Sequence, residues 1–199
     1  MSQPQPYRDV AAVILAGGRG RRVGGEDKGL LELDGKPLIR HVIDVIAPQV
    51  DSLVISANRN IEQYKALGYP VIRDQQEGFH GPLAGIDAAL AVTDKPFLLC
   101  VPCDTPFLPA DLLSRLYAAL QGSDYPMAIA VDSERQHPVI NLMQRSVHAD
   151  IRNRLEQGNL KLMRWIDETG YVSVDFSDQP QALTNLNSPE DIALVGKHS

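Results

Sequence analysis

From Gly17 to Lys28 the chain reads Gly-Gly-Arg-Gly-Arg-Arg-Val-Gly-Gly-Glu-Asp-Lys, which sets five glycines and four basic residues in one short stretch. Without a Cβ, backbone N–H groups can approach an anion closely, and Arg and Lys neutralise it. That combination suits a triphosphate. A solvated surface loop is the alternative, but location argues against it. The stretch follows Val10–Ala16 (VAAVILA), a continuous apolar run that reads as a strand buried on both faces. In open α/β sheets, ligands bind at the carboxyl ends of strands. Spacing excludes two familiar phosphate loops. A dinucleotide fingerprint needs G-x-G-x-x-G, but three residues separate Gly20 from Gly24. A P-loop ends in G-K-[ST], whereas Lys28 stands between Asp27 and Gly29.

A second stretch, Cys100 to Pro106 (CVPCDTP), puts Asp104 just past another buried run, Phe97–Cys100. Magnesium prefers hard oxygen ligands, often one or two carboxylates with phosphates and water. A strand-end aspartate fits that demand, though it would equally serve as a turn or helix cap. The Cys100-x-x-Cys103 spacing invites a redox reading. That motif should open a helix, and the prolines flanking Cys103 oppose one, so buried structural thiols are expected. His41, His80, His137, His148 and His198 show no metal-binding spacing. His80 reads as a plain loop residue. Asp132, Glu134, Arg135 and His137 form a charged turn, either solvated or in contact with a second substrate. Arg152, Arg154, Lys161 and Arg164 read as solvated helix faces available to a second anion. Trp165 has core spacing with Leu162.

The elements that must position these residues alternate. Leu38–Ala47 has helical spacing, Leu53–Ala57 is strand-like, Ile61–Leu67 helical and Val71–Ile72 a short strand ending at Asp74. Leu83–Val92 is an alanine-rich helix, and Pro109–Leu120 an amphipathic one with Pro109 in its first turn. Met127–Val131 and Pro138–Met143 are strands set close together, which suggests an antiparallel element. Helices over Val147–Glu156 and Leu160–Glu168 follow, then a strand at Tyr171–Phe176. Ser188-Pro189-Glu190 opens a final helix with a capping serine. Strand–helix alternation predicts an α/β fold with a single doubly wound, mostly parallel sheet and an antiparallel element in the C-terminal half. Residues 1–9 are expected to form a flexible tail, and residues 10–199 one domain.

Composition is consistent with this. The 199 residues are 44% hydrophobic and 22% charged, with a net charge of −6. An acidic chain argues against general nucleic-acid binding. No apolar run approaches the ~18 residues of a membrane span. The apolar core after Arg8 is too short for a signal peptide, so a cytoplasmic protein is expected.

Leu15-Ala16-Gly17-Gly18, the Arg22-Val23-Gly24 turn and Lys28 resemble the signature of the nucleotidyltransferase superfamily. Asn58-Arg59, Gly81-Pro82-Leu83-Ala84-Gly85, Pro102-Cys103-Asp104-Thr105-Pro106 and Asn185-Leu186-Asn187-Ser188-Pro189-Glu190 follow in the order seen in molybdenum cofactor guanylyltransferases. The resemblance spans nearly the whole chain. It implies a Rossmann-like nucleotidyltransferase fold and transfer of GMP from GTP to molybdopterin with release of pyrophosphate. The N-terminal half would bind GTP and the C-terminal half the acceptor. By the same resemblance, Leu15, Ala16 and Gly17 line the guanine and ribose, and Gly18, Arg22 and Lys28 hold phosphates. Ser56, Asp74, Gly81 and Gly85 contact the nucleotide, and Asp104 binds Mg²⁺. Arg22, Lys28 and Asp104 carry the chemistry, and Asn185 and Asn187 lie toward the molybdopterin. Val23 and Ser56 depart from the pattern, where methionine and, in some members, a nucleotide-contacting asparagine stand. Cofactor-inserting proteins or acceptor molybdoenzymes are the partners implied. A cytidylyltransferase acting on molybdopterin, a sugar-phosphate nucleotidyltransferase and a non-catalytic nucleotide-binding module share enough of these features to stand as alternatives.

Overall fold

A computed structural model describes residues 6–17, 27–74 and 81–195. Its first strand, β1 (Tyr7–Leu15), is the apolar run extended at its start, and Val10 to Ile14 are all buried. The strand thus begins at Tyr7, inside the stretch expected as a tail. Two contacts explain this: the Tyr7 ring packs on Tyr117, centroids 4.8 Å apart, and Tyr117 Oη donates to Asp9 at 2.6 Å.

After a 3₁₀ turn at Lys28–Leu30 comes a small hairpin of β2 (Glu32–Leu33) and β3 (Lys36–Pro37). Its Asp34-Gly35 turn has φ of 54° and 73°, the paired positive values that tight hairpins use. Then follow α1 (Leu38–Ile46), β4 (Val50–Ser56), α2 (Ile61–Lys65), β5 (Val71–Ile72), α3 (Pro82–Val92) and β6 (Phe97–Pro102). The second half holds α4 (Leu112–Gln121), β7 (Met127–Val131), β8 (Gln136–Gln144), α5 (His148–Glu156), α6 (Leu162–Thr169), β9 (Val172–Asp175) and α7 (Pro189–Val195). Helix α4 starts later than expected. Pro109 lies in the turn before it, and its carbonyl accepts from Leu112 N at 3.0 Å.

Among the described residues one sheet has seven strands in the order β5-β4-β1-β6-β8-β7-β9. Only β8 runs antiparallel to its neighbours β6 and β7, so the expected antiparallel element is present. The chain moves outward from β1 to β4 and β5, then crosses back through α3 to reach β6 on the other side of β1. That reversal creates a switch point between the carboxyl ends of β1 and β6.

Apolar cores lie on both faces. Helices α1 and α4, with Tyr64 of α2, cover one face. Helices α3, α5 and α6 cover the other, with Trp165 and Ile166 fully buried there. Each fully buried Val, Leu or Ile contributes about 1.5–3 kcal/mol. Trp165 is core, as its spacing suggested, and its indole N–H donates to Asp150 at 2.7 Å. A third, small cluster joins Leu33 and Leu38 to Leu186, with Ile192 and Val195 of α7 against it. This cluster ties the C-terminal arm to the β2–β3 hairpin, beside the 3₁₀ turn that carries Lys28.

Candidate active site

At the switch point the ends of β1 and β6 are joined directly, with Cys103 N donating to Leu15 O at 3.2 Å. On the other side of β1, Ala16 N donates to Ser56 O at 2.8 Å. Leu15, Ala16, Gly17, Ser56 and Asp104 therefore lie along one sheet edge. Gly18 and Arg22, with the rest of the arginine-rich loop and His80, lie outside the described residues.

Asp104 is 8% exposed. Its Oδ1 accepts from Asn185 Nδ2 at 2.7 Å, and its Oδ2 lies 3.5 Å from Lys28 Nζ. Lys28 Nζ in turn donates to Asn187 Oδ1 at 2.5 Å. The backbone between the two asparagines closes the group, with Leu186 N donating to Asp104 O at 2.8 Å. Four residues from three distant parts of the sequence thus form one hydrogen-bonded corner. Asn185 and Asn187, expected toward the second substrate, have their amide groups on the very residues expected to hold phosphate and metal. Ser188 and Asp191 fix the arm just beyond: Asp191 N donates to Ser188 Oγ at 3.2 Å, and Ser188 N to Asp191 Oδ2 at 3.0 Å, a reciprocal cap.

The opposite wall is built by Asn58 and Asp74. Asn58 Nδ2 donates to Asp74 Oδ2 at 2.8 Å, and Asp74 N donates to Asn58 Oδ1 at 3.1 Å. A Cβ on Gly17 would lie 3.6 Å from Asn58 Nδ2. Asn58 thus bridges the carboxyl ends of β1 and β5. Nothing local in the sequence marks Asn58 for this role, although it stands in one of the matching motifs.

The start of α3 forms the third wall. Gly81 has φ 70° and ψ −164°, a region essentially reserved for glycine. Four residues on, a Cβ at Gly85 would meet Leu15 Cδ2 and Ser56 Oγ, each at 2.7 Å. Gly85 therefore lets α3 press on the end of β1. Ser56 is 2% exposed, beneath this contact.

Asp104 is the carboxylate that Lys28 meets, and among the described residues there is no cluster of three or more His, Cys, Asp or Glu that could hold a metal. A closed protein cage for a metal is thus absent from them. The donor set instead fits a cation held by one carboxylate plus substrate phosphates and water, the usual manner of magnesium. Thr105, the residue after Asp104, has its Oγ1 buried without a hydrogen-bond partner among the described residues, a further hard oxygen in the same segment.

Cys100 and Cys103 are buried and unpaired by any disulfide. Burial pushes both thiols above their usual range, and the nearby Asp104 and Asp27 carboxylates push Cys103 further. Neither has the depressed pKa of a redox or nucleophilic cysteine. The charged turn is a built hairpin: Asp132 Oδ1 accepts from Glu134 N and Arg135 N, both at 2.8 Å, and His137 Nε2 lies 2.6 Å from Asp132 Oδ2. Arg154 bridges Asp150 and Glu168, and Arg164 pairs with Glu168, so these two arginines are engaged on the α5–α6 surface.

A switch point that gathers a lysine, a strand-end carboxylate and glycine-assisted close packing is the layout of an enzyme that handles nucleotides, and the class is that of the nucleotidyltransferases. A family model described as the MobA-like NTP transferase domain matches residues 12–172. The molybdenum cofactor guanylyltransferase of Shewanella halifaxensis is 46% identical, over 94% of either chain. That of Shewanella loihica is 47% identical over 91% of this chain and 92% of its own. A solved structure of molybdopterin-guanine dinucleotide biosynthesis protein A from Archaeoglobus fulgidus superposes with a TM-score of 0.76 at 25% identity, covering 95% of this chain and 97% of that one. The chain belongs to the MobA-like NTP transferase family, among its molybdenum cofactor guanylyltransferases.

Proposed function

We propose that the enzyme takes GTP as donor and the terminal phosphate of molybdopterin as acceptor, forming molybdopterin guanine dinucleotide and releasing pyrophosphate. The convergence of Lys28, Asp104, Asn185 and Asn187 at the switch point carries this reading. The acceptor phosphate oxygen attacks the α-phosphorus in line. A new P–O bond forms there, and the bond to the β-phosphate oxygen breaks. The nucleophile is already anionic, so no protein general base is needed. The remaining tasks are positioning and charge stabilisation.

Lys28 exchanges its Asp104 and Asn187 partners for phosphate oxygens when the nucleotide binds. Its ammonium then stabilises charge building on the α-phosphate and the departing pyrophosphate. Arg22 assists from the glycine-rich loop. Leu15, Ala16, Gly17 and Gly18 offer backbone groups to the nucleotide, and Ser56, Asp74, Gly81 and Gly85 shape its pocket. Asn185 holds the Asp104 carboxylate in a fixed orientation. Asp104 would hold Mg²⁺ together with the substrate phosphates, and the ion would supply neutralisation of phosphate charge. Asn185 and Asn187 link this corner to the acceptor side, which the C-terminal half provides. Molybdoenzymes or cofactor-inserting proteins receive the product, and the substrates set the work in the cytoplasm. No described helix is long and apolar enough to cross a membrane.

The test is incorporation from α-labelled GTP, CTP, ATP and UTP into molybdopterin, with pyrophosphate release followed in parallel. GTP alone should support both. Equal or better use of CTP would make the enzyme a cytidylyltransferase, and absence of pyrophosphate release would make it a binding module.

A further inference from the structure

The residue before Lys28 is also a carboxylate, but its partners are not those of Asp104. Asp27 is 8% exposed, and both its oxygens are occupied. Oδ1 accepts from Tyr64 Oη at 2.6 Å, and Oδ2 from Asn60 Nδ2 at 3.3 Å. Asn60 is the residue before α2 and Tyr64 lies within it, with the Tyr64 hydroxyl close to Cys103.

Three features fix this contact in place. Tyr64 is fully buried, and burial, the neighbouring Cys103 and the bond to Asp27 all hold its hydroxyl in the protonated, donating form. Asn60 adopts φ 49°, ψ 34°, a left-handed conformation uncommon outside glycine. It stands at the N-terminus of α2, where an asparagine normally bonds its own helix, yet its side chain makes no such cap and reaches Asp27 instead. Gly29, on the other side of Lys28, is clamped as well. A Cβ there would lie 2.8 Å from Tyr64 Oη and 3.1 Å from Cys103 Cβ. Lys28 is therefore held between two fixed residues, with the same tyrosine hydroxyl against both. The Asp27 carbonyl also accepts from Leu30 N at 2.9 Å, which closes the 3₁₀ turn under Lys28.

We infer that Asp27, held by Tyr64 and Asn60, is a positioning residue that fixes the backbone from which Lys28 reaches the reacting phosphates. The inference rests on the role of Lys28 given above. Asp27 acts through Lys28, with both of its own oxygens taken up by Tyr64 and Asn60. Its carboxylate is fully used as an anchor, so the loop can carry nucleotide while its downstream end stays in place. An error of about 1 Å in a charge-stabilising group can cost about a hundredfold in rate.

The experiment compares single-turnover GMP transfer at saturating GTP in the full chain for Tyr64→Phe, Asn60→Gly, Lys28→Ala and the two double variants. Tyr64→Phe keeps the ring and removes one hydrogen bond. Asn60→Gly removes the other and suits the left-handed backbone, so it keeps a folded variant in the series even if Tyr64→Phe loses stability. Tyr64→Phe and Asn60→Gly should each lower the rate about threefold to tenfold with GTP affinity within about twofold, as expected for misplacing a group that acts in the transition state. In the Lys28→Ala background the same changes should cost less than about twofold, because groups acting through one another are non-additive. Equal losses in both backgrounds, or normal rates for both single variants, would overturn the anchor. A normal rate for Lys28→Ala alone would instead overturn the role of Lys28, and the anchor with it.

Discussion

Lys28 Nζ and Asp104 Oδ2 stand 3.5 Å apart, one on the 3₁₀ turn after the glycine-rich loop and the other past the end of β6. The pair is partly exposed at Lys28, 31% by side chain, and nearly buried at Asp104, 11%. An exposed ion pair contributes little to stability, with a median of about 0–1 kcal/mol. The pairing therefore adds little to the fold, and under the function proposed above it holds two groups ready for a polyphosphate and its metal.

Asp104→Asn should leave the fold in place and remove metal-dependent turnover. The amide keeps the size of the side chain but loses the charge that a hard cation needs. Turnover is to be measured against Mg²⁺ concentration, with circular dichroism as the folding control. Near-normal activity at ordinary magnesium would end the assignment of Asp104 as ligand.

Gly85→Ala should destabilise the protein by about 1–3 kcal/mol, the usual cost of overpacking. The added methyl would meet Leu15 Cδ2 and Ser56 Oγ. Adding Ser56→Ala should return part of the loss in urea unfolding. If the double variant is no better than Gly85→Ala alone, the contact with Ser56 is not the source of the strain.

How much of this was legible depended on how local each signal was. Continuous apolar runs marked β1 and β6, and the strand–helix rhythm gave the doubly wound sheet with its antiparallel strand. The start of β1 at Tyr7 was not legible, because its reasons, Tyr117 against Tyr7 and Asp9, lie far along the chain. The small β2–β3 hairpin was not legible either. Its Asp34-Gly35 pair was the available signal, but two-residue strands show no period. Within the site, Lys28 and Asp104 stood out by type and position. Asn58, Asp27 and Tyr64 did not, since their value comes from partners in other elements. Asn185 and Asn187 entered only through a motif, and no local pattern shows that their amides meet Asp104 and Lys28.

The hairpin turn between β7 and β8 should make stability depend on acid. Burial raises the Asp132 pKa, but the bonds from His137 and from the N–H groups of Arg135 and Glu134 outweigh it and bring it to about 2, from 3.8. A carboxyl whose folded pKa is depressed adds stability above its unfolded pKa, and that is lost as pH falls through the folded value. The contribution is about 2 kcal/mol at neutral pH, lost between about pH 4 and pH 2. Denaturant unfolding of Asp132→Asn against the unsubstituted protein should show that gap at pH 7 and a narrowing gap below pH 4. A gap that does not change with pH would contradict this.

The two cysteines should be inert. Both thiols are buried with raised pKa values, so the folded protein should give no colour with a disulfide thiol reagent at pH 8, and both thiols should react after denaturation. The Cys100→Ala, Cys103→Ala double variant should keep its transfer activity. Rapid labelling of the native protein, or loss of activity without loss of fold, would reopen the redox reading.

The central claim is that Lys28 stabilises the transition state and is not merely a binding group. The most direct measurement pairs calorimetric GTP affinity with single-turnover GMP transfer at saturating GTP in Lys28→Ala. Backbone N–H groups can hold the ground-state phosphates without this side chain, so affinity should change little. The rate should fall about a hundredfold to a thousandfold, the loss of roughly 2.7–4 kcal/mol seen when one charge-stabilising donor is removed. If affinity falls and saturating GTP restores the normal rate, Lys28 only binds, and the account of the site is wrong.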